Sequence, residues 1–139
     1  MERTLTIIKP DAVGAAHGGE ILAELERQGF RFVALRRIHL SEAQARAFYE
    51  VHQEKPFFDD LVEFMTGGPV IVAALERQDA VAHLRRVMGA TNPEQAEEGT
   101  IRARFGSSIE RNAIHGSDSR DNARAELAFF FSRADLIAA

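Results

Sequence analysis

The sequence predicts an α+β fold, in which helices and strands alternate along one compact domain. Residues 4–8 alternate polar and apolar side chains, which is typical of a strand with one buried face. Residues 70–75 form an apolar run rich in β-branched side chains, which indicates a strand covered on both faces. Helical spacings occur around these runs without a linker, repeat or low-complexity segment. We therefore expect one domain over residues 1–139.

The first strand is followed by a predicted helix and a second strand. Ile21, Leu22 and Leu25 share one helical face, and Gly29 can end that helix because glycine tolerates the backbone conformation of a helix terminus. Residues 30–39 then favour a strand.

Two further helices are predicted before the central strand. Residues 40–44 (LSEAQ) have the form of a capping box with a preceding apolar residue, which starts a short helix toward Tyr49. Pro56 suits the first turn of another helix, which residues 67–69 end. The apolar face of this helix is formed by Phe58, Leu61, Val62 and Met65.

The second half begins with the strand at residues 70–75, which we expect to be central in the sheet. A helix that ends at Gly89 should follow, and Asn92-Pro93 should open an irregular segment that reaches about residue 109. A short strand is predicted just before His115, and a last helix at residues 119–131. The helix that ends at Gly89 is defined by the apolar spacing of Val81, Leu84, Val87 and Met88.

Composition excludes several classes of function. The apolar run at residues 70–75 is the longest and is too short to cross a membrane, and the first residues lack the apolar segment of a signal peptide, so we expect a cytoplasmic protein. With no cysteine, disulfides, thiolate zinc sites and cysteine nucleophiles are excluded. A net charge of -4 argues against broad nucleic-acid binding, although a few cations in one cleft can still bind phosphate.

The most informative motif is NAIHGSD at residues 112–118. Histidine is largely neutral near pH 7 and yet basic enough to attack phosphorus, so His115 is a candidate nucleophile. Gly116 could allow a tight turn and the close approach of a phosphate. The alternative is a polar turn that opens a helix, with Ser117, Asp118 or Ser119 as the N-cap.

A phosphate-binding site would have to be built from side chains. The sequence contains neither a G-x-x-x-x-G-K-[ST] loop nor two glycines separated by one residue, so neither the P-loop nor the dinucleotide fingerprint can form. Position alone favours a solvated surface role for an arginine such as Arg85, which is followed by Arg86. The candidate donors by residue type are Lys9, Arg85, Thr91, Arg102, Arg104 and Asn112.

Phe57 and the remaining histidines have competing interpretations. Phe58 shares the apolar helix face, whereas Phe57 points elsewhere and is either core or a platform for a base. No zinc-binding spacing such as H-E-x-x-H occurs, so no protein-held metal is expected. Ordinary surface or structural roles are expected for His17, His39 and His83.

Segments distributed along nearly the whole chain resemble nucleoside diphosphate kinases, of the bacterial type with a short C-terminus. They are residues 4–11 (TLTIIKPD), 48–49 (FY), 55–58 (KPFF), 68–70 (GPV), 88–93 (MGATNP), 99–102 (GTIR) and 112–118. The resemblance implies a ferredoxin-like β-α-β-β-α-β antiparallel sheet with helices packed on it.

The resemblance also implies a role for each candidate residue. His115 would be the nucleophile of a two-step phosphoryl transfer, oriented by Glu126, with Ser117 bonded within this group and Tyr49 bracing the cleft. Phosphates would be bound by Arg85, Thr91 and Arg102, and the sugar hydroxyl by Lys9 and Asn112, with Lys9 also near the transferred phosphoryl group. The base would stack on Phe57, and such stacking tolerates any base. His52 and Asp118 are possible further contributors.

The same resemblance implies Mg²⁺ held mainly by the substrate phosphates, and a homo-oligomer that is a tetramer rather than a hexamer or dimer. Arg104 departs from the family, since many relatives carry an acidic residue there. Two alternatives stay open: a non-catalytic nucleotide-sensing or interaction domain of the same fold, and a different enzyme phosphorylated on histidine. The latter would not need the Phe57 platform or the sugar contacts.

Overall fold

The computed structural model describes residues 1–137, which contain a four-stranded antiparallel sheet in the order β2-β3-β1-β4. The strands are β1 (Glu2–Ile8), β2 (Arg31–Ile38), β3 (Val70–Arg77) and β4 (Ile114–Gly116). The strand predicted at residues 70–75 is interior, because β3 pairs with both β1 and β2. The predicted ferredoxin-like α+β class is therefore confirmed.

Within residues 1–137, eight α-helices connect and cover these strands. Two of them lie between β1 and β2, two between β2 and β3, two between β3 and β4, and two after β4. They are α1 (Pro10–Gly14), α2 (Gly18–Arg27), α3 (Glu42–Phe48), α4 (Phe58–Thr66), α5 (Ala80–Met88), α6 (Ile101–Phe105), α7 (Arg120–Phe130) and α8 (Arg133–Leu136).

The two faces of the sheet bury separate apolar clusters, because successive side chains of a strand point to opposite faces. On β3, Val72 belongs to the cluster under α3, α4 and α7, whereas Ala73 belongs to the cluster under α1, α2, α5 and α6. On β1, Ile7 lies in the first cluster and Ile8 in the second. Helices therefore cover both faces.

Local sequence signals determine several helix ends. The Ser41 hydroxyl accepts a hydrogen bond from the Gln44 backbone N–H at 3.1 Å, and the Gln44 side chain accepts one from the Ser41 N–H at 2.9 Å. This is the predicted capping box of α3. Gly89 ends α5 at φ 87°, a conformation that side chains with a Cβ rarely adopt.

Three predicted elements differ from the structure. Pro56 lies before α4 rather than in its first turn, since Phe57 is the N-cap. The segment predicted to be irregular contains α6, which begins where the Thr100 hydroxyl caps its first turn. His115 lies inside β4 instead of following it. The last predicted helix, at residues 119–131, corresponds to α7, and the unpredicted short helix α8 follows it, because Phe131 adopts an extended conformation and Ser132 starts a new capping box.

Within residues 1–137, every helix is too short or too polar to span a membrane.

Candidate active site

The candidate nucleophile lies in β4, which is the edge strand beside β1. His115 pairs with Ile7, and its carbonyl accepts a hydrogen bond from the Thr6 hydroxyl at 2.8 Å. The His115 side chain points away from the apolar cluster that holds its neighbour Ile114, because side chains alternate along a strand. Strand pairing therefore fixes the backbone that carries the imidazole.

A carboxylate on α7 holds one edge of that imidazole. His115 Nε2 lies 2.8 Å from Glu126 Oε1, and the Ser117 hydroxyl donates to the same oxygen at 2.9 Å. Ser117 is fully buried, whereas the side chains of His115 and Glu126 are each 21% exposed. Because Glu126 accepts a hydrogen bond at Nε2, the neutral imidazole carries its proton there and has its lone pair on Nδ1.

Gly116 provides space for the packing of α5 rather than a tight turn. It lies within β4 rather than in a tight turn, so the expected turn is wrong. A Cβ at this position would lie 2.6 Å from Met88 Sδ and 2.8 Å from Leu84 Cδ2. Glycine is required because α5 packs directly against the backbone of the strand that carries His115.

The backbone before β4 makes an abrupt turn. Ala113 adopts φ 74°, and the Ile114 N–H donates to the Asn112 carbonyl at 2.9 Å, which closes a three-residue turn. Asp11 Oδ2 accepts from the Ala113 N–H at 3.1 Å, and the Ala113 carbonyl accepts from the Lys9 N–H at 2.9 Å. These bonds stabilise a conformation that is costly for a residue with a Cβ.

Lys9 and Asn112 meet beside this turn. Lys9 Nζ donates to Asn112 Oδ1 at 2.8 Å, and Asn112 Nδ2 donates to the Thr91 carbonyl at 3.1 Å. Lys9 and Asn112 are both buried, whereas Thr91 is exposed. Lys9 follows β1 two residues after Ile7, which pairs with His115. Alternation along the strand therefore places Lys9 toward the face of the sheet that carries the imidazole.

Arg102 is a buried cation held between backbone carbonyls. Its two terminal nitrogens donate to the Gly89 carbonyl at 3.1 Å and to the Ile114 carbonyl at 2.8 Å. Its buried Nε has no hydrogen-bond partner within the described part of the chain. Arg85 lies on α5 and donates to the Gly116 carbonyl at 3.5 Å, so both arginines contact the backbone next to His115.

Burial and neighbouring positive charges lower the pKa values of Lys9 and Arg102. Burial, followed by the charge of Arg102, lowers the pKa of Lys9 to about 8, against the opposing attraction of Asp11 and Glu110. Burial, followed by the charge of Arg85, lowers the pKa of Arg102 to about 10. A positive cluster of this kind is costly without an anion, so its geometry favours binding of a polyanion.

Tyr49 lies behind the imidazole and carboxylate. It is buried, and its hydroxyl has no hydrogen-bond partner in residues 1–137. Burial, reinforced by the negative charge of Glu126, raises the pKa of its phenol well above the ordinary value. The hydroxyl therefore remains protonated and available as a donor.

Phe57 projects into solvent at the start of α4. It is 48% exposed, whereas Phe58 is buried in the core as predicted. The ring of His52 lies 5.6 Å from the Phe57 ring, centroid to centroid. An exposed aromatic face of this kind is suited to stacking on a flat ligand.

The end of the histidine motif also begins a helix, as the alternative interpretation proposed. The Ser119 hydroxyl caps α7 by accepting from the Asn122 N–H at 3.1 Å, and Asp118 accepts from the Asn122 side chain. Ser117 instead serves the His115 and Glu126 pair. Asp118 is thus engaged locally rather than with that pair.

Three contributors to the site were not among the candidate residues predicted from the sequence. Asp11 stabilises the turn at Ala113, and the Thr6 hydroxyl holds the His115 carbonyl. Glu2 accepts from the Val81 N–H of α5 at 2.8 Å and from Arg120 Nε of α7 at 2.6 Å. Each acts across more than 70 positions of sequence, which local patterns do not reveal.

Arg104 points away from the phosphate candidates. Its guanidinium lies 3.4 Å from Glu24 and 3.7 Å from Glu20 on α2, and it stacks over Phe105. The charge that departs from the family pattern therefore attaches α6 to α2.

Comparison with known proteins decides the family to which these features belong. The family model described as nucleoside diphosphate kinase matches residues 2–136. The chain belongs to the nucleoside diphosphate kinase family. It is therefore a phosphotransferase of a family that acts on nucleotides.

Individual relatives agree with this assignment. The chain is similar to nucleoside diphosphate kinases of Chlamydia felis (55% identity) and Chlamydia abortus (56% identity), each aligned over 137 residues that cover 99% of this chain and 97% of the relative. The enzyme of Aquifex aeolicus superposes with a TM-score of 0.96 at 43% identity, covering 98% of this chain and 99% of the other. The enzyme of Halobacterium salinarum, in complex with CDP, superposes with a TM-score of 0.95 at 39% identity, covering 99% and 92%.

Proposed function

We propose that this chain catalyses the transfer of the γ-phosphoryl group from a nucleoside triphosphate to a nucleoside diphosphate through a phosphohistidine on His115. The observation that carries the proposal is the 2.8 Å contact between His115 Nε2 and Glu126. It holds the proton on Nε2 and leaves the Nδ1 lone pair free to act as the nucleophile.

The reaction has two symmetrical halves. His115 Nδ1 attacks the γ-phosphorus in line, the P–N bond forms, and the bond to the β-phosphate oxygen breaks so that the diphosphate leaves. Glu126 stabilises the positive charge that develops on the imidazole. A second nucleoside diphosphate then attacks the phosphorus, the P–N bond breaks, and neutral His115 is regenerated.

The cationic cluster supports binding of the phosphate chain. Arg85 and Arg102 contact the carbonyls on either side of His115, where equatorial phosphate oxygens can accept charged hydrogen bonds. Thr91 adds a neutral donor, and the buried Tyr49 hydroxyl adds a donor near the transferred group. These groups stabilise the negative charge that builds up on the leaving β-phosphate oxygen while His115 Nδ1 bonds to phosphorus.

The sugar and base need only general recognition. Lys9 and Asn112 are bonded to each other and can bind a sugar hydroxyl, while Phe57, beside His52, offers a stacking face. Every base has a π-face, so we infer broad tolerance of the base. The CDP complex of the Halobacterium relative supports nucleotide binding by this fold.

The donor set fits Mg²⁺ that arrives with the nucleotide. In the described residues no group of three or more His, Asp or Glu side chains could hold a metal, and the site itself is rich in cations. Lys9, Arg85 and Arg102 would therefore hold the phosphates rather than the ion. When bound to those phosphates, Mg²⁺ supplies charge neutralisation during transfer.

The decisive experiment follows the label through both halves of the reaction. The protein is incubated with γ-labelled ATP and Mg²⁺, freed of nucleotide, and chased with unlabelled GDP. Acid-labile label on His115 that passes to GTP supports the proposal, and comparable labelling by GTP and CTP supports broad tolerance. An unlabelled protein supports a nucleotide-sensing domain, and label that passes only to water supports a phosphatase.

Replacing Glu126 should slow phosphorylation of His115 without abolishing it. We expect Glu126→Ala to reduce the phosphorylation rate by about 10- to 100-fold, because a hydrogen bond to a charged group contributes about 1.5 to 3 kcal/mol. Glu126→Gln should lose less, since its amide oxygen still accepts from Nε2. Single-turnover kinetics measure both variants, and a wild-type rate for Glu126→Ala would contradict the orienting role.

The lowered pKa of Lys9 predicts a loss of activity in alkaline solution. Above about pH 8 the free enzyme loses this positive charge, so kcat/KM should decrease by about tenfold per pH unit. A bound phosphate raises the pKa of Lys9, so kcat should decrease at higher pH than kcat/KM.

The matched control for this pH profile is Lys9→Arg, which retains its charge at every pH tested. Its kcat/KM should be lower than that of the wild type but nearly independent of pH between about 8 and 9, below the pKa of about 10 at which Arg102 loses its charge. A wild-type profile that is equally independent of pH would contradict a charged role for Lys9.

We also propose a homo-oligomer, with a tetramer as the specific expectation. Among the described residues β2 pairs with β3 alone, and Leu35 on β2 is 44% exposed. An edge strand with an exposed apolar residue is a common surface for self-association, which supports assembly. Light scattering measures the mass of the assembly directly.

A single domain over residues 1–139 and a cytoplasmic location remain predictions from the sequence.

A further inference from the structure

An aromatic cluster extends from solvent to the imidazole of His115. Phe129 lies on α7 one turn after Glu126 and is 41% exposed. Its ring packs against Phe48 at 5.4 Å and against Phe130 at 5.0 Å, centroid to centroid. A large aromatic side chain that stays this exposed in a cluster that reaches the imidazole calls for an explanation beyond core packing.

Phe48 connects this cluster to the candidate nucleophile. It is the last residue of α3, and its ring meets the His115 ring edge to face at 5.7 Å with an interplanar angle of 76°. Phe48 also packs against Tyr49 at 4.9 Å and Phe130 at 5.0 Å. Its ring is thus held on several sides, and in turn it restricts rotation of the imidazole about its bond to Cβ.

We propose that Phe48, braced by Phe129, is a positioning residue that holds the ring plane of His115 and keeps water from the phosphorylated imidazole. The inference rests on the phosphohistidine of the proposed function. The Glu126 bond constrains one edge of the imidazole, and the Phe48 ring constrains its plane. Together these contacts define the direction in which Nδ1 meets phosphorus.

Exclusion of water matters because the phosphohistidine can react with two acceptors. In the unproductive reaction a water oxygen attacks phosphorus, the P–N bond breaks, and the water proton is released as inorganic phosphate and neutral His115 form. An attacking water needs a nearby group that accepts its proton. The Phe48 and Phe129 rings offer no such acceptor, so they disfavour hydrolysis on the side of the imidazole that they cover.

The test compares hydrolysis of the isolated phosphoenzyme with its transfer to GDP. The full-length protein is labelled with γ-labelled ATP, freed of nucleotide, and divided between buffer and buffer with GDP and Mg²⁺. We expect Phe129→Ala to hydrolyse its label roughly twofold to tenfold faster than the wild type, the change that corresponds to the loss of one aromatic pair. Transfer to GDP should change less than hydrolysis.

Further variants separate this role from general damage. Phe129→Tyr keeps the ring and should restore the slow hydrolysis, and Phe48→Leu, which keeps apolar volume but loses the ring, should resemble Phe129→Ala. Ile109→Ala is the matched control, because Ile109 is also an exposed apolar residue but lies in the segment between α6 and β4. Wild-type hydrolysis in both phenylalanine variants, or equal acceleration by Ile109→Ala, would overturn the inference. Failure of the wild type to acquire label would instead refute the proposed function.

Discussion

Replacing His115 with alanine is expected to abolish both labelling of the protein by γ-labelled ATP and transfer of phosphate to GDP. The remaining groups can bind a nucleotide, but none of them supplies a nitrogen lone pair at the position of Nδ1. We expect turnover to decrease by a factor on the order of 10,000 or more, as in other enzymes that lose a covalent nucleophile. A coupled enzymatic assay measures this turnover, on protein purified free of the nucleoside diphosphate kinase of the expression host.

The matched control for this substitution is His83→Ala on α5. His83 contacts Gln28 and Arg86, and burial followed by the charge of Arg77 lowers the pKa of its imidazole. This variant removes a histidine of similar chemistry that serves no phosphate, so turnover should be retained. A pure His115→Ala protein with wild-type turnover would refute the mechanism.

Replacing Arg102 with alanine should reduce both activity and stability. The guanidinium is buried and bridges the carbonyls of Gly89 and Ile114, so its removal leaves both without their charged donor. We expect the free energy of unfolding to decrease by about 3 kcal/mol. Loss of a charged donor to the phosphates should reduce kcat/KM by about 100- to 1,000-fold. Denaturant titration and steady-state kinetics measure the two effects.

Two variants separate the charge of Arg102 from its geometry. Arg102→Lys keeps a positive charge but cannot span two carbonyls with a planar fork, so it should recover only part of the stability and activity. Arg104→Ala, on the same helix, removes an arginine that contacts Glu20 and Glu24 instead. It should leave kcat/KM within a few-fold of the wild type, and a loss as large as that of Arg102→Ala would contradict the assignment.

Local sequence patterns predicted most of the fold because its long elements have strong periodicity. The capping box at Ser41, the apolar strand at residues 70–75 and the end of α5 at Gly89 each depend on neighbouring residues. The short helices α1, α6 and α8 were not predicted, because four or five residues scarcely exceed one turn and show little periodicity. Pro56 was misplaced since a proline before a helix and one inside its first turn look alike in sequence.

The spatial arrangement of the site required the structure. A local motif contains His115 and Ser117, but their shared partner Glu126 lies on a separate helix and has the ordinary sequence context of a surface carboxylate. The turn at Ala113 depends on Asp11, more than 100 residues earlier. The sequence predicted that Gly116 allows a tight turn and the approach of a phosphate. In the structure, the side chains of α5 pack where a Cβ would lie. Such contacts between distant segments leave no periodic signal.

The hydrogen bonds of Glu2 link α5 and α7, the two helices that flank this site. One carboxylate oxygen attaches to the start of α5, which carries Arg85, and the other to the start of α7, which carries Glu126. Phosphate binding and imidazole orientation thus share one anchor at the amino-terminal end of β1. An affinity tag or a fusion partner joined at that end adds its bulk beside this anchor.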